Sequence, residues 1–252
     1  MIVSANELCY SRLASRVGSR SRGVTVLHSG FRGAYHTERA ASLAGVPLST
    51  VYYWARRGIY EPTFVNVRPI LWSWSDLLAL RAIYWLRQRK PELPIEATPM
   101  SQVRNLLRTL ESLGDRLGDH LGNQSIVLRV DPRGAPHITV EGRLVRPGRS
   151  GSGQFVSPEL AIDLLTEYQP GHGLQGPHLL APRPRLRIIP GKLGGEPHIT
   201  DTRIESSVMA ALARRGCDVA DILRLYPFLD SSSVDESLDL ERQLQRNLAV
   251  AA

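Results

Sequence analysis

Apolar positions recur at helical spacing in several separate stretches of the chain and alternate with polar ones in another. Ala40, Ala41 and Leu43 share one face of a helix expected from Thr37, a capping residue, through Leu43. Gly45-Val46-Pro47-Leu48 reads as a turn, and Ser49 as the cap of a second helix that ends at Gly58 with Val51 and Trp54 inward. Between Pro62 and Trp74, Phe64, Val65, Val67 and Ile70 are strand formers. Ser75 then opens a helix lined by Leu77, Leu80, Ile83 and Leu86. A leucine-lined helix is expected over residues 101–121, as a core element or a dimerisation helix. Ser125 to Phe155 alternates as strands. Ile126–Val130 and His137–Val140 flank Asp131-Pro132-Arg133-Gly134, which supplies hairpin chemistry, and Leu144-Val145 extends the sheet. Ser157-Pro158-Glu159 starts a helix to Tyr168.

Near the C-terminus, Gly194-Gly195-Glu196-Pro197-His198-Ile199 reads as a tight turn and a short extended piece, because glycine tolerates positive φ and proline forbids helix. Val208, Leu212, Ile222 and Leu225 follow around Gly216 as two short helices. The expected organisation is a mobile leader over 1–33, a DNA-binding region with its following helix over 34–121, a β/α middle region over 122–168, a linker over 169–184 and a helical domain over 185–248. The fold class is α+β.

Charge sharpens this picture. The chain has 252 residues and a formal net charge of +7. Residues 1–95 hold 13 Lys/Arg against 5 Asp/Glu, whereas residues 183–252 hold 10 of each. The basic excess therefore lies in the first third, as a nucleic-acid-binding head requires. No stretch approaches the ~18 apolar residues of a membrane span, and no signal-peptide core opens the chain. Cys9 and Cys217 are expected as reduced thiols of a cytoplasmic protein.

Two helices around a glycine-containing turn form a helix-turn-helix, whose second helix lies in the DNA major groove. The candidate DNA contacts are Ser49, Thr50, Tyr52, Tyr53, Arg56 and Arg57, with Asn66 and Arg68 reaching an adjacent groove. Ser49 and Thr50 suit base edges or nearby phosphates, and Tyr53, Arg56 and Arg57 suit phosphates. The alternative is a helix pair kept only as a protein–protein scaffold. For catalysis the sequence offers neither a nucleophile–base pair nor metal-ligand spacing. No enzyme activity, metal or cofactor is expected.

The run Gly45-Val46-Pro47-Leu48-Ser49-Thr50-Val51-Tyr52-Tyr53-Trp54-Ala55-Arg56-Arg57-Gly58-Ile59 resembles the winged helix-turn-helix of MerR-type regulators. It departs at Tyr52, where that family usually carries arginine. The resemblance covers residues 35–90. It implies a β-hairpin wing between Pro62 and Trp74, and a dimer on operator DNA.

Residues 185–246 resemble a small antitoxin domain of the VapB type. The carriers are Gly194-Gly195-x-Pro197-x-Ile199, Thr202-Arg203, Gly216 and Leu225-Tyr226-Pro227, with Asp201 where the family usually has glycine. That resemblance implies a third helical segment, Ser231 to Leu248, that completes a three-helix unit, and a type II antitoxin that blocks a PIN-domain endoribonuclease encoded nearby and represses its own operon. Candidate contacts to the toxin are Arg203, Asp235, Glu236, Leu238, Asp239 and Glu241. Arg203 either braces its own domain or pairs with nuclease carboxylates, and the acidic residues either form a solvated face or meet a basic cleft. The rival expectation is a MerR-like transcription regulator whose C-terminal part senses a ligand or protein.

Overall fold

A computed structural model of the chain describes residues 33–64, 69–88, 97–117, 126–131, 135–140, 143–145 and 161–250. The leader over 1–32, Asn66 and Arg68 lie outside the described residues. The architecture is α+β, with seven helices and small antiparallel sheets among the described residues.

Strand β1 (Tyr35–His36) leads into α1 (Thr37–Ala44), and α2 (Leu48–Arg56) follows after a three-residue turn. The chain reverses there because Gly45 adopts φ 68 and the Val46 amide donates to the Ala41 carbonyl (3.1 Å). Val51 and Trp54 are buried on the inner side of α2. The caps differ from expectation. His36 is the N-cap of α1 and Pro47 that of α2, and Thr37 instead accepts from Trp72 Nε1 (3.1 Å). The start of α2 takes proline's fixed φ in place of a side-chain cap.

Strand β2 (Leu71–Trp72) pairs antiparallel with β1, and an isolated bridge joins Phe64 to Leu71. Helix α3 (Trp74–Arg87) starts at Ser73, two residues before the expected cap, because Asp76 closes a capping box with it. The buried Asp76 carboxylate also accepts from Tyr60 Oη (2.7 Å), the Thr63 amide and the Thr63 hydroxyl (3.0 Å each). Burial pushes this carboxyl up, and the donors from Thr63, Tyr60 and Ser73 oppose it. Thus one carboxylate ties the segment after α2 to the start of α3.

Helix α4 (Met100–Leu117) buries Val103, Leu106 and Leu107 against this core. Four strands form an antiparallel sheet in the order β5-β4-β3-β6: β3 (Ile126–Val130), β4 (Pro136–Val140), β5 (Arg143–Val145) and β6 (Ala161–Asp163). Leu128 stands opposite Ile138 on one side and Ile162 on the other. Ile126, Leu128 and Val130 are buried while Val127 and Arg129 are half-buried, the period-2 pattern of a one-sided core.

Of the helix expected from Ser157 to Tyr168, residues 157–160 lie outside the described residues; from Ala161 on the chain forms β6 instead, and Tyr168 opens a hairpin of β7 (Tyr168–Gly171) and β8 (Leu174–Gly176). Ala161–Asp163 satisfies its backbone by pairing with β3, a long-range partner that local propensity does not register. The segment expected as a linker is ordered, with Leu174, Gly176, Pro177 and Leu179 buried.

Arg81 closes this part of the molecule. Its side chain is fully buried in α3 and donates to five backbone carbonyls: Leu43 (2.9 Å), Ala44 (3.2 Å), Leu164 (3.0 Å), Thr166 (2.7 Å) and Pro177 (2.5 Å). Two of these acceptors end α1, where unpaired carbonyls and the negative end of the helix dipole favour a cation. Burial pushes Arg81 down to about 9, while the Tyr168 and Asp163 charges act the other way, so it stays cationic at neutral pH. Gly176 must be glycine, because a Cβ there would lie 2.8 Å from Arg81 Nη2.

The C-terminal part holds β9 (Leu186–Arg187) paired with β10 (His198–Ile199), a 3₁₀ turn at Leu193–Gly195, and helices α5 (Ser206–Arg214), α6 (Val219–Leu225) and α7 (Ser231–Ala249). Asp201 takes φ 59, the left-handed conformation that glycine otherwise supplies. Met209, Ile222, Val234, Leu240 and Leu244 are buried, whereas Leu225 is 59% exposed instead of lying in the core. Helix α7 also packs on α1 and β8, so the C-terminal helices share a core with the basic head.

Arg81→Met should lower the unfolding free energy by about 3 kcal/mol or more, because five backbone carbonyls, four of them in buried hydrogen bonds, lose their donor. Arg81→Lys should restore little, since an ammonium has three donors. Urea unfolding midpoints measure both.

A second expectation concerns pH. His178 Nδ1 accepts the Leu180 and Ala181 amides (3.1 Å each), and burial followed by Arg81 holds it below the ordinary histidine value. His198 is fully buried, and its Nε2 has no hydrogen-bond partner among the described residues. Burial holds it low as well. A depressed folded value means that the unfolded chain takes up protons first. The stability both histidines supply is therefore present above about pH 6.5 and lost as pH falls through their folded values. Melting temperatures should drop on acidification, and His178→Gln with His198→Gln should flatten the drop.

Candidate nucleic-acid interface

The outer face of α2 follows from its inner one. With Val51 and Trp54 inward, the 3.6-residue period leaves Ser49, Tyr52, Tyr53, Arg56 and Arg57 exposed, and Thr50 half-buried between the faces. Tyr52 is 40% and Tyr53 54% exposed, large aromatic surfaces that a folded head otherwise buries. The Arg57 guanidinium lies over the Tyr53 ring, 5.9 Å from its centroid, which turns a flexible cation into a placed one. Ser49, Tyr52, Tyr53, Arg56 and Arg57 together line a shallow hollow of about 630 Å³. Six of the eight expected DNA-contact residues thus lie on α2 or at its C-cap, Arg57, and five of the six are on this face. Asn66 and Arg68 fall outside the described residues.

Tyr52 also lines a second hollow of about 330 Å³ with His36, Thr37, Glu38, Pro69 and Ile70. The start of α1 and the strand entering β2 therefore extend the same surface. Sequence periodicity does not show this, because it places residues on a helix face and not one helix beside another.

None of the residues expected to meet a partner protein lines either hollow, and five of the six lie on α7. Arg203 is exposed in the turn between β10 and α5. On α7, Asp235 is exposed and Leu238 packs against the core. The other acids have partners inside the chain. Glu236 accepts the Arg185 amide (2.7 Å), Asp239 pairs with Arg183 (2.7 Å), and Glu241 takes both Arg39 terminal nitrogens (2.9 Å each). A one-sided acidic helix in sequence is thus largely spent on arginines of its own chain.

Arg39, Arg81, Tyr35 and Asn247 are the polar residues that sequence reading missed. Asn247 Nδ2 donates to the Ser42 carbonyl (2.9 Å) and its Oδ1 accepts the Gln175 amide (3.0 Å). Arg81 carried a usable signal: it interrupts the apolar run Leu77-Leu78-Ala79-Leu80 and Ala82-Ile83, where a cation must find buried acceptors.

Among the described residues no group of three or more His, Cys, Asp or Glu could hold a metal, and no helix is long and apolar enough to cross a membrane. No curated protein and no solved structure matches the chain. Residues 187–239, from β9 into α7, match the model of a family described as "Protein of unknown function (DUF433)".

Proposed function

We propose that this chain is the antitoxin of a type II toxin–antitoxin pair. It binds operator DNA through the outer face of α2 and neutralises a PIN-domain endoribonuclease through its C-terminal part. The observation that carries the proposal is the solvent-facing set Ser49, Tyr52, Tyr53, Arg56 and Arg57 on the second helix of a tightly turned pair, inside the only strongly basic third of the sequence. Ser49 at the N-terminal end suits a base edge, the arginines suit phosphates, and the tyrosines supply apolar contact with a hydroxyl handle. In this proposal the pair is a MerR-like winged helix-turn-helix, and a homodimer places two copies of α2 in successive major grooves.

The nuclease half of the proposal is supported by the resemblance of residues 185–246 to VapB-type antitoxin domains. Of the candidate residues for that contact, Arg203 and Asp235 are exposed.

Two measurements test the two halves separately. If Arg56 is a phosphate contact, Arg56→Ala should reduce the slope of log affinity against log salt by about one unit on an operator duplex. An unchanged slope removes that assignment. Each neighbouring reading frame should also be expressed alone and with the full chain. Growth arrest by one frame, relief by this chain and co-purification are expected. If no neighbour is toxic or bound, the antitoxin assignment falls, while the DNA-binding one stands on the slope.

A further inference from the structure

Arg39 lies on α1, in the basic head of the chain. Its side chain is only 16% exposed. Nε donates to Glu196 (2.7 Å), while Nη1 and Nη2 make a two-pronged contact with Glu241 (2.9 Å each). Glu196 belongs to the Gly-Gly turn and Glu241 to α7, so a single guanidinium joins α1 to two elements of the C-terminal part. Burial would lower the Arg39 value, but the Glu196 charge and the Glu241 bonds raise it, which fixes the cation in place. Ser206 Oγ, at the start of α5, donates to Glu241 as well.

The neighbouring contacts run the same way. Tyr35 Oη donates to the Gly195 carbonyl (2.7 Å), and the Ala34 amide to the Gly194 carbonyl (2.8 Å). A side chain on Gly195 would overlap the Tyr35 hydroxyl, so the second glycine of this motif is required by contact with the head. At the far end of α1, Asn247 holds the Ser42 carbonyl. Helix α1 is therefore pinned along its length by the C-terminal part. In turn, α1 supports α2 through the Gly45 turn and supplies His36, Thr37 and Glu38 to the surface around Tyr52.

We infer that the C-terminal part has a second function as a brace for nucleic-acid recognition, with Arg39 as a positioning residue that acts through Glu196 and Glu241. Arg39 touches no nucleic acid. It fixes the angle and depth at which α1 presents α2. The inference rests on the DNA-binding half of the proposed function, and electrostatics gives it a sharp sign. Glu241→Gln removes a negative charge from a protein that binds a polyanion, so charge alone predicts tighter binding. Loss of a brace predicts weaker binding.

The test uses the full chain and a labelled duplex from the region upstream of its own coding sequence, titrated at several salt concentrations. Thermal melting establishes that each variant is folded at the assay temperature. Glu241→Gln and Arg39→Lys should each weaken binding about tenfold with the salt slope unchanged, because orientation is lost and no phosphate contact is. Glu241→Gln keeps the shape and the acceptor oxygen, so it serves if Arg39→Lys fails to fold. Equal or tighter binding by Glu241→Gln overturns the inference, as does a slope reduced by about one unit in Arg39→Gln, which removes the charge that Arg39→Lys keeps. If the unaltered chain prefers no upstream duplex over random DNA, the DNA-binding assignment itself falls and takes the brace with it.

Discussion

The buried guanidinium of Arg81 is the constraint on which the rest of the fold hangs. It carries its charge in the interior with five backbone carbonyls as partners. A charge removed from water is tolerable only when its hydrogen-bonding capacity is filled, and five N–H donors on five acceptors fill it completely. The acceptors come from the end of α1, the residues after β6 and the residues after β8. These segments are far apart in sequence, and no one of them can satisfy the arginine alone. Tyr168 adds its ring face, 5.8 Å from the guanidinium carbon.

From that centre the architecture explains why the two recognisable parts of the chain do not behave as beads on a string. Helix α1 is fixed from below by Arg81 at its carbonyl end and from the side by Glu196 and Glu241 through Arg39. Helix α7 lies against α1 and β8, with Gln243 and Asn247 both donating to the Gln175 carbonyl. The turn over 193–195, which in isolation looks like a flexible glycine hinge, is a docking surface with Tyr35 seated on it. With α1 held on two sides, α2 has one face left, and that face carries the tyrosines and arginines.

The acidic residues of α7 show how readily a surface pattern misleads. Asp235, Glu236, Asp239 and Glu241 read as a patch aimed at a basic partner, and three of the four are met inside the chain, Glu236 by the Arg185 backbone amide and Asp239 and Glu241 by the Arg183 and Arg39 guanidinium groups. Sequence displays the sign and spacing of charges, but not the arginines that long-range folding brings beside them. The same limitation hid the strand at Ala161–Asp163. Its pairing partner, β3, lies more than thirty residues upstream.

What the sequence determined by itself is whatever depends on neighbours in the chain. Gly45, Val51 and Trp54 specify the helix pair and its inner face, and hence the exposed set on α2. The β3–β4 alternation specifies a one-sided sheet, and the Gly216 break specifies two helices where the periodicity alone allows one. Tertiary structure decided the rest: the caps taken by Ser73 and Asp76, the hairpin in place of a linker, and the union of head and C-terminal helices. Those outcomes turn on Arg39, Arg81 and Asn247, long polar side chains whose partners are backbone or charged groups distant in sequence. A buried polar group must be satisfied, but only the folded chain specifies by what.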